Sequence, residues 1–177
     1  MATESASKSK RKKGAKAVVR EYLEALGERD LDRAVAVWQP GSPDHLHGVA
    51  ELIAPDGIRE YFGALFAAYP DFRIEVVEVV ASGELAAARL QMSGTFTGPG
   101  RFQGLAPTGA RVEFESCDLF RVVDEKIVEN NAYPNAMGLA QQLGLLPPTG
   151  SQAERAMMGA FNAKTAAAGA IRKLRNR

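Results

Sequence analysis

Only one of the 177 residues is a cysteine, Cys117, which excludes an internal disulfide. Histidine is almost as scarce, with two, His45 and His47, and tryptophan occurs once, as Trp38. A His/Cys metal centre therefore has little to draw on. His45-x-His47 is the one suggestive spacing, no third ligand is recognisable beside it, and the expectation is no metal. The longest apolar stretches, Gly63 to Tyr69 and Val76 to Ala81, fall far below the roughly 20 residues a membrane-spanning helix requires. No charged segment followed by an apolar run reads as a signal peptide, so the expected location is cytoplasmic. There is no Gly-x-Ser-x-Gly elbow for a serine nucleophile. The glycines of Gly94-Thr95-Phe96-Thr97-Gly98-Pro99-Gly100 lack the Lys-Ser/Thr of a phosphate loop and read as a bend.

What is present is a hydrophobic content of 46%, enough for one ordinary domain to bury its apolar surface without cross-links. The net charge of +1 hides an asymmetry. Residues 1–20 carry seven Lys/Arg and residues 161–177 carry five, against the single acid Glu4. The intervening residues 21–160 hold ten Lys/Arg against twenty Asp/Glu, a charge near −10. The basic run Lys8, Lys10, Arg11, Lys12, Lys13 allows weak contact with polyanions and otherwise reads as a solvated tail. An acidic body without a basic stripe argues against specific nucleic-acid recognition.

Along the chain, residues 1–17 read as a basic disordered tail. Val19, Tyr22, Leu23 and Leu26 recur at helical spacing up to Gly27. Asp30 is placed to cap a second helix whose stripe is Leu31, Ala34, Val35 and Trp38. Residues 39–54 read as loop. Pro55-Asp56 opens a third helix with Ile58, Tyr61, Phe62, Leu65 and Phe66 on its buried face, closed by Tyr69-Pro70-Asp71. The period then changes to 2. Strands are expected from Phe72 to Ala81, Leu85 to Thr97, Val112 to Val123 and Ile127 to Tyr133. A short helix follows near Leu139 to Leu145, and residues 148–177 read as a basic C-terminal helix or tail. Helices followed by a twisted antiparallel sheet make an α+β layout in which the sheet curls around the helices and encloses a pocket.

A two-residue turn at Asp124-Glu125 would set the last hairpin so that Phe120 faces Glu129, Asp118 faces Asn131, Ser116 faces Tyr133 and Phe114 faces Asn135; because Glu125 is not the glycine a type I′ turn prefers, a three-residue loop with a shifted register is the alternative. One face is then polar. Asp118, Glu129, Asn131 and Asn135 would project among Trp38, Phe62 and Phe66, while Cys117 alternates away as a packed thiol. A small apolar cavity with converging polar groups suits proton transfer at a carbonyl, because burial raises a carboxyl pKa and neutral donors hold an enolate oxygen. The structural alternative pairs Asp118 with Arg121 or Arg89 and leaves Glu129 solvated. His45 and His47 are read as either a base on the pocket rim or a solvated pair.

These segments resemble a family. Gly57-Ile58-Arg59-Glu60-Tyr61-Phe62, Tyr69-Pro70-Asp71-Phe72, Gly94-Thr95-Phe96-Thr97-Gly98, Pro107-Thr108-Gly109, Lys126-Ile127-Val128-Glu129 and Gln142-Leu143-Gly144 occur in the order and spacing of the SnoaL-like polyketide cyclases, also called ester cyclases, of the nuclear transport factor 2-like superfamily. The resemblance runs from about Val18 to Pro147. It implies a cone-shaped fold of N-terminal helices packed in a curved antiparallel sheet, a homodimer formed through the outer sheet, no cofactor, and a hydrophobic small molecule as ligand. The family's Trp and Asp of the last strand fall on Asn131 and Asn135, and its frequent histidine falls on Phe96. An amide cannot take a proton at neutral pH.

The expected function is therefore acid/base chemistry of cyclase or isomerase type on a hydrophobic carbonyl compound. Asp118 or His45 acts as base, Asn135 and Asn131 are carbonyl donors, and Trp38, Phe62, Phe66, Phe96, Phe114 and Tyr133 shape the pocket. The alternatives are a non-catalytic ligand-binding or dimeric interaction module, and an epoxide hydrolase or ketosteroid-isomerase-like enzyme.

Overall fold

The computed structural model describes residues 12–175. Residues 1–11, and with them most of the expected basic tail, lie outside the described residues. The chain divides between Ala136 and Met137 into two compact units.

The first unit opens with α1 (Ala15–Gly27), whose inward stripe of Val18, Val19, Tyr22, Leu23 and Leu26 is almost fully buried. Arg29, at φ 62°, turns the chain into α2 (Leu31–Ala36), where the Asp30 carboxylate caps Arg33 N at 3.0 Å. Helix α3 (Asp56–Ala68) follows and ends against Tyr69.

Residues 39–54 are not simply a loop. They contain the hairpin β1 (Pro43–Leu46) and β2 (Ala50–Ile53), joined through Gly48 at φ 75°. Four residues carry too little alternation to announce a strand, and β1 is held by its neighbour. It runs parallel to the last strand, with Asp44 beside Asn130 and His45 beside Asn131.

The sheet is completed by β3 (Arg73–Ser82), β4 (Leu85–Thr95), β5 (Arg111–Val123) and β6 (Lys126–Pro134), in the order β2-β1-β6-β5-β4-β3. Its inner face supplies Val79, Ala88, Leu90, Phe120, Val122 and Ile127 to the core built on α1 and α2. At the far end, Phe66, Tyr69, Phe72 and Phe96 pack as rings, with Tyr69 stacked on Phe96 at 4.9 Å. There Gly98 N donates to Ala68 O, and a Cβ on Gly98 would lie 1.8 Å from the Ala67 carbonyl oxygen, so only glycine fits.

The last hairpin differs from the expected register by one residue. Asp124 and Glu125, at φ 48° and 63°, do form a two-residue turn, with Val123 opposite Lys126. A bulge then shifts the ladder, so that Val122 pairs with Ile127 but Arg121 with Glu129. Asp118 consequently faces Ala132, and Phe120 faces Asn130. One extra residue exchanges the two faces of β6: Asn130 and Ala132 turn inward, while Glu129, Asn131 and Tyr133 turn out.

The second unit consists of α4 (Ala136–Gln142) and the 24-residue α5 (Gln152–Arg175). Ser151 Oγ accepts from Glu154 N at 3.1 Å and caps α5. No helix among the described residues is long and apolar enough to cross a membrane.

Candidate functional site

Asp118 lies on the inner face of β5 and is 6% exposed. Its carboxylate accepts from Ser116 Oγ, two residues away on the same face. Beside it is a second carboxylate, which sequence reasoning missed. Asp44, on the short β1, is 1% exposed and accepts from Asn130 Nδ2 at 2.9 Å. Asn130 stands between the two acids. It is 2% exposed on β6, and its amide stabilises the charged form of both.

Burial is the dominant electrostatic effect here. It raises the Asp44 carboxyl from an ordinary 3.8 to about 7, opposed by the hydrogen bond from Asn130 and reinforced by the neighbouring charge of Asp118. Burial likewise raises Asp118 to about 6, opposed by the hydrogen bonds from Ser116 and Asn130. Near pH 7 Asp118 is therefore mostly ionised while Asp44 is about half protonated, so a base and an acid stand side by side.

Tyr22 of α1 completes the cluster. Burial pushes its phenol far up, and the charges of Asp44 and Asp118 add to the shift. Its ring meets Trp38 edge-on at 5.5 Å and Phe120 at 6.0 Å. Trp38 is itself 2% exposed. From α3, the Tyr61 hydroxyl reaches the field of Asp44, and the Tyr61 ring packs edge-on to Phe62 at 5.4 Å and to Phe102 at 5.6 Å. Phe62 in turn touches Phe66 at 6.1 Å. A band of aromatic carbon thus adjoins the carboxyl pair.

The expected site residues separate into groups. Asp118 and Trp38 belong to the buried cluster, and Phe62 and Phe66 to the aromatic band beside it. Phe114 points inward on β5, half-buried, opposite Met92. Phe96 is wholly buried in the ring packing against Tyr69. His45, Asn131 and Tyr133 are on the other side of the sheet. His45 Nδ1 pairs with Glu51, and His47 stacks on Tyr133 at 4.5 Å and bonds Asn131 Oδ1 at 3.0 Å. The alternation that turns Asp44 inward turns His45 outward, so His45 is not placed as a base on the Asp118 side. Asn135 follows β6, exposed, with its N–H on Glu115 O at 3.0 Å. Cys117 is exposed rather than packed, and Arg89 and Arg121 pair with Glu115 and Glu129, not with Asp118.

The outer face also carries a groove of about 490 Å³ lined by Val80, Leu85, Ala87, Leu119 and Arg121 among others. Among the described residues no group of three or more His, Cys, Asp or Glu could hold a metal ion.

Comparison with known proteins adds the family context. The family model described as SnoaL-like polyketide cyclase matches residues 16–143. The nogalonic acid methyl ester cyclase of Streptomyces nogalater is 30% identical over 109 residues, spanning 58% of this chain and 78% of that protein. Among solved structures, AclR of Streptomyces galilaeus, a candidate hydroxylase, superposes with TM-score 0.64 at 28% identity, covering 75% of this chain and 97% of its own. IdmH of Streptomyces antibioticus, a candidate polyketide cyclase, gives TM-score 0.60 at 26% identity, covering 72% and 96%.

Proposed function

Because the chain belongs to the SnoaL-like polyketide cyclase family, we propose that it closes a ring in a hydrophobic polyketide-type ester by intramolecular aldol chemistry, with Asp118 as base and Asp44 as acid. The observation that carries the reading is the Asp118–Asn130–Asp44 cluster, two inward carboxyls fixed by one amide beside an aromatic band. The ionised Asp118 removes a proton from the carbon between activating carbonyls. The resulting enolate carbon attacks a second carbonyl carbon of the same molecule. As that C=O opens, its oxygen takes the proton of Asp44 and becomes a hydroxyl. Both protons are accounted for, no oxidant enters, and substrate and product are isomers. Burial raises both carboxyls, the charge of Asp118 on Asp44 and the Ser116 hydrogen bond to Asp118 set them apart, and low-dielectric surroundings strengthen the field on the developing oxyanion.

This assignment moves the base from the end of the last strand, where Asn135 stands, to β5. The likeness to the nogalonic acid methyl ester cyclase suggests the first substrate to offer. Incubation of the full chain with nogalonic acid methyl ester, followed by chromatography with mass detection, should give a product of unchanged mass and altered retention. Asp118→Asn should give none. Turnover that survives this substitution refutes the role of Asp118, and absence of any isomer with the intact protein refutes the substrate class. A likeness of 28% identity to a candidate hydroxylase makes product mass the discriminating readout, since hydroxylation adds an oxygen atom.

The same reading includes a homodimer through the outer face of the sheet. Val80, Leu85 and Leu119 are about half exposed beside the outer groove, an apolar face of the kind that a second copy covers.

A further inference from the structure

Helix α5 lies beyond residue 143, where the match to the family model ends, and has no part in the acid/base scheme. With 24 residues at 1.5 Å each it is about 36 Å long. Its side chains are exposed along most of that length, the large apolar ones included: Met157 is 47%, Phe161 62% and Ile171 61% exposed.

These residues are not scattered. Met157, Phe161, Ala168 and Ile171 stand at i, i+4, i+11 and i+14, so they share one stripe of the helix. The remaining place in the stripe, i+7, is taken by Lys164, midway between Met157 and Ile171, and Arg175 continues it at i+18. The helix carries five Lys/Arg, namely Arg155, Lys164, Arg172, Lys173 and Arg175, against the one acid Glu154, a net charge of +4.

An apolar stripe with a lysine at its centre selects what can cover it. In a symmetric pairing with α5 of a second copy, parallel or antiparallel about the middle of the stripe, Lys164 would meet Lys164 in the seam, and two helices of net +4 would repel each other. A closed apolar groove would bury the ammonium unpaired. At the edge of a lipid bilayer neither cost arises, because the four-carbon stem of Lys164 lies along the stripe while its ammonium reaches back to the headgroups. The charge fits as well: each Lys or Arg close to an anionic membrane surface strengthens partitioning roughly fivefold.

We infer that α5 lies along an anionic lipid surface, with Met157, Phe161, Ala168 and Ile171 entering the boundary between headgroups and acyl chains and Lys164, Arg172 and Arg175 meeting lipid phosphates. The contact is peripheral, since no described helix is long and apolar enough to cross a membrane. A bilayer is also where a hydrophobic ester of the class proposed above accumulates. The inference does not rest on the acid/base reading.

The test is co-sedimentation of the full chain, near pH 7 and at physiological salt, with vesicles of phosphatidylcholine alone or of phosphatidylcholine and phosphatidylglycerol in equal parts. The anionic vesicles should bind at least about tenfold more tightly. Substituting Phe161→Ser and Ile171→Ser together keeps the net charge and, because serine has about the helix propensity of either residue, should keep α5 helical by circular dichroism. This double variant should bind the anionic vesicles at least about tenfold more weakly. An intact chain that stays in the supernatant with anionic vesicles overturns the inference. So does a double variant that binds as tightly as the parent, with poly(U) RNA displacing both alike, since the basic ends would then act as a plain polycation. A double variant whose mass by light scattering is lower than that of the parent also overturns it, by showing that a second copy covers the stripe.

Discussion

Replacing Asp44 by asparagine should make the protein more stable at pH 8 while removing its acid. Asp44 is 1% exposed, and burial raises its carboxyl from 3.8 to about 7. The folded chain therefore keeps a proton that the unfolded chain has lost. Where the folded state binds more protons, stability falls as pH rises, so the cost is absent below about pH 4, grows between about pH 4 and 7, and is complete above. At about 1.36 kcal/mol per decade, the interval from 3.8 to about 7 corresponds to a cost on the order of 4 kcal/mol. Asparagine carries no charge to desolvate, and its Oδ1 can still accept from Asn130 Nδ2. For a chain of this size, 4 kcal/mol is roughly 8 to 16 °C in Tm. Thermal melts followed by circular dichroism at pH 4, 6 and 8 should show the variant gaining on the parent as pH rises, with little difference at pH 4. A variant that melts at or below the parent temperature at pH 8 would refute the argument that Asp44 is held in a desolvated, uncompensated position.

Activity should follow a narrow bell in pH, rising through about 6 as Asp118 ionises and falling above about 7 as Asp44 loses its proton; a rate that climbs steadily to pH 9 excludes Asp44 as the acid. Leu119→Glu, on a side chain 47% exposed at the outer groove, should halve the mass measured by light scattering while leaving the melting temperature within a few degrees, and an unchanged mass would exclude a dimer through this face. Gly98→Ala should cost about 1–3 kcal/mol or more, since its Cβ would overlap the Ala67 carbonyl oxygen; a melt unchanged from the parent would mean that the α3 end gives way freely.

The fold was readable wherever periodicity was long. The α1 stripe through Tyr22 and Leu26 named a helix and its buried face, the cap at Asp30 named the start of α2, and the change of period named the strands β3 to β5. The candidate site was half readable. Asp118 stood out on the polar face expected for the last hairpin, and it is buried. Asp44 was not readable, because β1 has four residues and owes its place to β6, a partner more than 80 positions later in the chain. The expected register turned Asn131 and Tyr133 inward, and a single bulge on β6 reverses this and brings Asn130 inward instead. Glu125, not the glycine a type I′ turn prefers, pointed to a shift in the turn itself, whereas the turn keeps two residues and the irregularity lies beyond it on β6. Tyr22 was visible as core and became part of the site only once the two acids were seen beneath it.

The most direct test of the central claim follows proton removal itself. In D2O near pH 7, the full chain should accelerate deuterium exchange at the carbon next to the carbonyl of 1-tetralone, measured by proton NMR. Asp118→Asn should return the rate to that of buffer. Exchange no faster than buffer with the intact protein, or undiminished by the substitution, would contradict the assignment of Asp118 as the base.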